Sequence, residues 1–193
     1  MKLKPMKNIL KLKWAVIAVL FVLVASCDSD DPEPVNEEEV ITTVRLTFTP
    51  TAGGTAVVAT FQDFDGAGGN SPIITNPVLA ANTSYSVSVQ FLNETQNPSE
   101  DITEEVAEEA LDHQVFFEVG SGLNFTYAYD DEDTNGNPIG LSGTVQTGAA
   151  SSGSLAIVLI HEPNKSASGV SSGDPTNAGG EEDVRVTFTA SIQ

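Results

Sequence analysis

Apolar and polar residues alternate with a period of two through most of the chain after residue 40. Val44, Leu46 and Phe48 lie between polar neighbours, which is the pattern of a strand buried on one face. The same pattern predicts further strands at residues 55–61, 85–91, 115–119, 123–129, 141–147, 155–161 and 184–192. We therefore expect β-strands to dominate the fold.

One segment follows a helical period instead. Ile102, Val106 and Ala110 recur at i, i+4 and i+8, and Asp101 before them is a residue type that caps helix N-termini. A glutamate three residues after Asp101 strengthens the cap signal, and His113 suits the negative pole at the other end. We expect one short helix that lies across the sheet or caps one end of it.

Gly, Asn and Pro residues separate the predicted strands, as in sheets whose strands are joined by turns. The pattern predicts an all-β fold, an antiparallel immunoglobulin-like β-sandwich with one short helix. Residues 40–193 are numerous enough for a single domain of this kind. Two stretches rich in glycine and small residues, 148–153 and 167–180, are expected to be mobile loops.

Two of the predicted strands have nearly the same sequence. Residues 44–49 read VRLTFT and residues 184–189 read VRVTFT, and each places its arginine opposite the apolar face. A half-buried strand favours Val, Thr and Phe in any case. With no other repeat in the sequence, one domain is expected rather than an array.

The first 27 residues have a different composition. Lysines at positions 2, 4, 7, 11 and 13 precede an uncharged apolar run at residues 14–25. This run is 12 residues long, whereas a membrane-spanning helix needs about 20. Residues 1–26 are therefore expected to be a signal peptide. Val24, Ala25 and Ser26 lie directly before Cys27, the only cysteine of the chain.

The sequence Val24-Ala25-Ser26-Cys27 resembles the lipobox of bacterial lipoproteins. The resemblance implies that Cys27 is acylated and becomes the new N-terminus, anchored in a lipid bilayer. A lone cysteine cannot form an intramolecular disulfide, so its position decides its interpretation. The alternative is an ordinary secretory signal with an incidental cysteine.

Residues 27–39 are acidic, contain two prolines and have almost no apolar side chain. Such a segment cannot bury enough surface to fold, so we interpret it as a tether. It resembles the acidic export signals that follow the anchor cysteine in some surface lipoproteins. With the strand pattern, the chain is similar to small all-β surface lipoproteins of unknown function. The resemblance implies a cell-envelope protein on the outer face of the outer membrane.

The charge of the chain after Cys27 narrows the range of partners. This part has 27 acidic residues and three basic ones, a formal charge of −24. Nucleic acid and anionic membrane surfaces are poor partners, because a domain with this charge repels other anions. Both methionines precede Cys27, which leaves soft metals without thioether ligands. An envelope protein or an extracellular ligand is the expected partner.

An acidic loop at residues 131–137 has the composition of a calcium site, because oxygen ligands alternate around a glycine that permits a sharp turn. A second acidic loop at residues 63–66 is a source of further ligands. The candidate calcium ligands are Asp63, Asp65, Asp131, Asp133, Asn135 and Asn137. Ser142 takes the position of the EF-hand glutamate, so no full EF-hand exists. The alternative is a hairpin loop whose acids are merely solvated.

His113 and His161 are the only histidines, and each is next to an acidic residue in the sequence. Two imidazoles and a carboxylate would suit zinc or another divalent ion. Nothing in their spacing shows that they meet, and the alternative for His161 is a hydrogen-bonded residue at the end of the sandwich.

Catalytic chemistry has less support than binding. A Ser-His-Asp triad needs a spatial convergence that no spacing here predicts, and the glycine-rich residues 66–69 lack the lysine of a phosphate-binding loop. We therefore expect a noncatalytic binding or accessory module. A calcium-stabilised structural module is the alternative, and a hydrolase is a weaker one.

Overall fold

The computed structural model describes residues 39–66 and 68–193. The expected signal peptide, Cys27 and the tether up to residue 38 lie outside the described residues. Within the described ranges, the helices are too short or too polar to cross a membrane.

The described residues form mostly strands. The strands are β1 (Thr43–Pro50), β2 (Val57–Gln62), β3 (Ile73–Thr75), β4 (Val78–Leu79), β5 (Ser84–Asn93), β6 (Glu100–Asp101), β7 (His113–Val119), β8 (Phe125–Tyr129), β9 (Ser142–Thr147), β10 (Ser151–His161) and β11 (Glu181–Ile192). One α-helix, α1 (Ile102–Glu108), lies between β6 and β7 in this part of the chain.

The strands of residues 39–66 and 68–193 form two sheets. The larger has the order β3-β2-β1-β5-β9-β8, with β6 also paired to β5, and the smaller has the order β4-β11-β10-β7. Neighbouring strands are antiparallel except β4, whose two residues pair in parallel with the end of β11. The prediction of an all-β sandwich is confirmed.

The inner faces of the two sheets share one hydrophobic core. On β1, Val44, Leu46 and Phe48 are completely buried, and on β11, Val186 and Phe188 are buried in the same cluster. The two nearly identical sequences therefore contribute one strand to each sheet, both with their apolar side chains inward. The alternation of apolar and polar residues that predicts these strands also directs their apolar side chains into the core.

Helix α1 begins where the sequence indicated. The Asp101 side chain accepts a hydrogen bond from the Thr103 backbone N–H at 3.1 Å, as an N-cap does. Ile102 and Val106 are buried, whereas Ala110 lies beyond the end of the helix. His113 is the first residue of β7, yet its ring Nδ1 lies 3.2 Å from the carbonyl oxygen of Glu109, the C-cap residue.

Residues 167–180, for which the sequence predicts a mobile loop, have local structure. They contain two 3-10 turns, Val170–Ser172 and Pro175–Asn177. Val170 and Ala178 are buried against Phe116, Val158 and Ile160, on the face of the smaller sheet that points away from the main core. Residues 148–150 are a turn, and 151–153 belong to β10.

Candidate functional site

The two histidines meet at the end of the smaller sheet. β7 and β10 are antiparallel neighbours, and their pairing places His113 directly opposite His161. The imidazole rings stack, with centroids 4.6 Å apart and planes 8° from parallel. The structure therefore brings together the pair whose meeting the sequence could not indicate.

Both histidines continue the inner face of their strands. His113 follows the same alternation as Val115 and Phe117, and His161 follows that of Ile157 and Leu159. The acids next to them in sequence, Asp112 and Glu162, are exposed instead. His113 is only 1% exposed. The core alternation thus carries one imidazole into the protein interior.

Asp183 reaches His113 from β11 through a β-bulge. Leu159 pairs with Val184, and the next residue of β10, Ile160, pairs with Glu182, so Asp183 is left without a partner in the ladder. An extra residue of this kind re-aims its side chain. The Oδ2 atom of Asp183 lies 3.9 Å from the Nε2 atom of His113, and the Asp183 side chain is 10% exposed.

Glu39 supplies a second carboxylate. Its Oε1 atom lies 3.4 Å from the Nε2 atom of His113, and its side chain is 11% exposed. From sequence, Glu39 belonged to the acidic tether, and neither it nor Asp183 was a candidate. Acidic residues are so abundant in this chain that no signal separates these two from the rest.

The cluster contains buried polar atoms that lack hydrogen-bond partners. Within the described residues, Oε2 of Glu39, Nε2 of His113 and Oδ2 of Asp183 are shielded from solvent and make no hydrogen bond. Buried polar side-chain atoms are normally paired, and an unpaired one is costly. Three such atoms in one cluster, the Nε2 of the imidazole and one oxygen of each carboxylate, need an explanation.

A second group shares the same imidazole. Ligand atoms of Glu109, His113 and His161 all lie within 4.8 Å of one another, as do those of Glu39, His113 and Asp183. In the second group Glu109 is exposed. The Nδ1 atom of His113 also already faces the Glu109 carbonyl. The group of Glu39, His113 and Asp183 is therefore more enclosed, and it contains more polar atoms without hydrogen-bond partners.

Burial and charge oppose each other in the pKa values of the cluster. Burial would lower the pKa of His113, but the Glu39 carboxylate, the Glu109 carbonyl and Asp183 together raise it above its ordinary value. Burial, with the nearby charge of Glu39, raises the pKa of Asp183 to about 6. The two carboxylates therefore repel each other across the imidazole.

The outer surface of α1 extends this negative region. A shallow groove there is lined by acidic side chains only: Glu100, Asp101, Glu104, Glu105, Glu108 and Glu109. Burial and the charges of Glu39 and Glu109 raise the pKa of Glu105. The potential around the cluster favours cations over anions.

The β8–β9 loop, which was the first calcium candidate, is satisfied by the protein itself. Both oxygens of Asp131 accept backbone N–H bonds, from Gly140 at 2.7 Å and from Ser142 at 2.8 Å. Oδ1 of Asp133 accepts the N–H groups of Asn135 and Asn137 at 2.8 and 3.0 Å. These carboxylates shape the loop through hydrogen bonds.

A lysine supplies the positive charge in this loop. Nζ of Lys165 lies 3.1 Å from Oδ2 of Asp133 and also donates to the carbonyl oxygens of Ala110 at 2.6 Å and Pro138 at 3.1 Å. Asp133 is 6% exposed and Lys165 is 6% exposed. The ammonium thus takes the contacts with carboxylate and carbonyl oxygens that a calcium ion would need.

The Asp63 and Asp65 candidates lie in a separate loop from the β8–β9 candidates. Their loop follows β2, and strands β1 and β5 lie between β2 and β9. With neighbouring strands about 4.8 Å apart, β2 and β9 are about 14 Å from each other. Asp63 and Asp65 accept hydrogen bonds within their own turn, from Gly66 and Asn70.

One motif of a catalytic type was not among the candidates predicted from the sequence. Residues 169–173 read Gly-Val-Ser-Ser-Gly, which has the spacing of a nucleophile elbow. An elbow needs a serine between a strand and a helix, but Ser171 is exposed in a 3-10 turn that begins nine residues after β10 ends. Among the described residues it has no histidine hydrogen-bonded to it, so the spacing carries no hydrolase geometry.

Comparison with known proteins gives no family for this chain: no family model matches, and no curated protein or solved structure matches either.

Proposed function

We propose that this chain is a lipid-anchored surface lipoprotein whose sandwich domain is a noncatalytic binding module, with its ligand site at the histidine end. The noncatalytic assignment rests on the burial of His113. A general base must come within hydrogen-bond distance of a substrate, and an imidazole that is 1% exposed does not present its nitrogen to one. The site suits a small ligand held inside the fold.

The anchoring part of the proposal rests on Cys27. Basic residues, a short apolar run and small residues precede this cysteine in the order that lipoprotein processing requires. Each acyl methylene buried in the bilayer contributes about 0.8 kcal/mol, so several chains on one cysteine give durable attachment. Cys27 and Glu39 are 12 residues apart, and such a segment reaches at most about 40 Å.

The two alternatives have less support. A calcium-stabilised module would use the carboxylates of the β8–β9 loop, which already bond to backbone N–H groups and to Lys165. A hydrolase would need an accessible base beside a nucleophile, and the buried His113 does not provide one. An envelope partner would contact the solvent-facing surface of the sandwich.

Acylation is tested by labelling cells that express the full chain with a palmitate analogue. We expect label on the wild type and none on C27A, because the chain has no other cysteine to modify. S29A, which changes a residue just beyond the anchor, is the matched control and should be labelled normally. Label on C27A equal to that on the wild type would disprove the anchor.

Surface exposure is tested with protease added to intact cells. We expect the domain to be removed from intact cells as completely as from broken ones. Protection until the envelope is broken would place the protein on an inner face instead. A screen with ester, phosphate and glycoside substrates tests the noncatalytic assignment, and turnover that H113Q abolishes would overturn it.

A further inference from the structure

We propose that Glu39, His113 and Asp183 form a binding site for one divalent transition-metal ion, with Zn²⁺ as the best-fitting species. The metal ion would be the ligand of the proposed binding module. This inference rests on the proposed function only for the location of the protein in the cell envelope. Metal binding can be measured whether or not Cys27 is acylated.

The first support is the spacing of the ligand atoms. Two atoms bound about 2.0–2.2 Å from a tetrahedral zinc ion lie about 3.3–3.6 Å from each other. The Nε2 atom of His113 and the Oε1 atom of Glu39 are 3.4 Å apart, and Nε2 is 3.9 Å from Oδ2 of Asp183. The first pair already has the required separation, the second needs a shift of a few tenths of an ångström, and the ligand oxygens of Glu39 and Asp183 lie within 4.8 Å of each other.

The second support is the set of unpartnered atoms. Each of the three residues contributes one buried nitrogen or oxygen that makes no hydrogen bond within the described residues. For Glu39 the unpartnered atom is Oε2, the other oxygen of the carboxylate whose Oε1 faces Nε2, so an ion held by both Glu39 oxygens, by Nε2 and by Oδ2 of Asp183 would satisfy all three atoms at once. A protonated imidazole cannot do this, because its single Nε2–H can serve only one of the two carboxylates.

The third support is the orientation of the His113 ring. Its Nδ1 atom lies 3.2 Å from the Glu109 carbonyl oxygen, a contact that places the proton on Nδ1. With this proton held on Nδ1, a metal ion that displaces the proton of Nε2 would find the Nε2 lone pair on the side of Glu39 and Asp183. Metal-binding histidines are commonly fixed in this way by a backbone carbonyl.

Charge is the fourth support. Two carboxylates enclose a single imidazole, and a divalent ion would neutralise both negative charges. The acidic groove on α1 adds further negative charge next to Glu109, which raises the local concentration of cations. A nitrogen ligand and few oxygens favour zinc over calcium, which takes six to eight oxygen ligands.

The bulge at Asp183 is the fifth support. It interrupts an otherwise regular ladder between β10 and β11 and leaves one residue unpaired. Bulges occur preferentially where a strand must aim a side chain at a site. Here the residue it aims is a carboxylate whose side chain is 10% exposed and lies beside a buried histidine. Packing alone does not account for a carboxylate in that position.

The test is zinc titration of the full chain, purified in detergent without a polyhistidine tag and first stripped with a chelator. Competition with a chromophoric chelator should show one zinc ion per chain. H113Q and D183N should each weaken binding by at least about 100-fold, which exceeds the usual effect of residues that only support a ligand. E39Q should also weaken it.

Two variants serve as matched controls. E182Q changes the carboxylate next to Asp183, which pairs with Arg185 outside the cluster, and should bind zinc as the wild type does. E109Q changes the carboxylate of the second group around His113 and should also leave the affinity unchanged. Circular dichroism of each variant shows whether the sandwich has formed.

Several results would overturn the proposal. Two of them concern the wild type: no stoichiometric zinc binding, or saturation by calcium in place of zinc. Two concern the variants: unchanged zinc affinity in both H113Q and D183N, or a zinc affinity that falls in E109Q but not in D183N. If H113Q does not fold, the Nε2 resonance of His113 in wild-type protein decides, since it must shift on zinc addition. Failure of palmitate labelling with intact zinc binding would reject the anchor alone.

Discussion

Lys165 and Asp133 form a buried ion pair, 3.1 Å from Nζ to Oδ2, that joins the segment after β10 to the β8–β9 loop. Their side chains are 5% and 1% exposed. The remaining ammonium protons bond to the carbonyl oxygens of Ala110 and Pro138. One lysine thus connects three separate segments of the chain.

Replacing this lysine should be strongly destabilising. K165M removes the charge but keeps most of the apolar side chain, and Asp133 is left as an uncompensated buried charge. Breaking a buried pair in this way costs about 3–5 kcal/mol. Urea unfolding at neutral pH measures the change in the free energy of unfolding.

The double variant D133N/K165M is the control for this prediction. Because it removes both charges, its loss of stability should be smaller than the sum of the two single losses. Additive losses would mean that the two groups do not interact, and the ion pair would then contribute nothing.

Acid should weaken the same interaction. Burial tends to raise the pKa of Asp133, but the N–H groups of Asn137 and Asn135 and the Lys165 ammonium outweigh it and hold the pKa below 3.8. The folded state therefore favours the ionised form, so the stabilisation is complete above pH 3.8 and disappears as the pH falls towards the folded pKa. Urea unfolding of the wild type and D133N across this range should show their difference shrinking at low pH. If the difference in unfolding free energy stays constant with pH, folding does not lower the pKa of Asp133.

Calcium should have little effect on stability. In metal-free protein, the melting temperature should change by less than about 1 °C when millimolar calcium is added. A calcium ion bound at 100 times its dissociation constant would add about 2.7 kcal/mol, which raises the midpoint of a domain of this size by about 5–10 °C. A rise of this size that D131N abolishes would support the alternative function, a calcium-stabilised module.

The two similar strands should respond to substitution alike. Phe48 and Phe188 are both completely buried, so F48A and F188A should each cost about 3–5 kcal/mol. R185Q is the exposed comparison: Arg185 is 40% exposed and pairs with Glu118 and Glu182 at the surface, so its loss should cost less than about 1 kcal/mol. Thermal and urea unfolding of the three variants checks this. If R185Q lowers the free energy of unfolding as much as F48A and F188A do, the assignment of the phenylalanines to the core and of Arg185 to the surface is contradicted.

The longer strands could be predicted because each buries one face. Each predicted strand overlaps an observed one, and the alternation of Val44, Leu46 and Phe48 recurs as buried positions. β3, β4 and β6 were missed because two or three residues are too few to show a period. β10 begins at Ser151, four residues before the predicted start, because polar residues there pair with the end of β11.

The histidine cluster was predictable only in part. His113 and His161 could be named because they are the only imidazoles of the chain, but their meeting depends on the register between β7 and β10. That register comes from tertiary packing, which no local pattern contains. Asp183 depends on a bulge, and Glu39 precedes the first strand, so neither lies where an alternating pattern gives information.

The bulge of β11 has an evolutionary consequence. Removing Asp183 alone would leave Val184 opposite Leu159 and Glu182 opposite Ile160, with the ladder now continuous. The deletion of one codon would therefore take a carboxylate from the cluster without changing the register of either sheet. A related chain could gain or lose this chemistry in a single genetic step and keep the same sandwich.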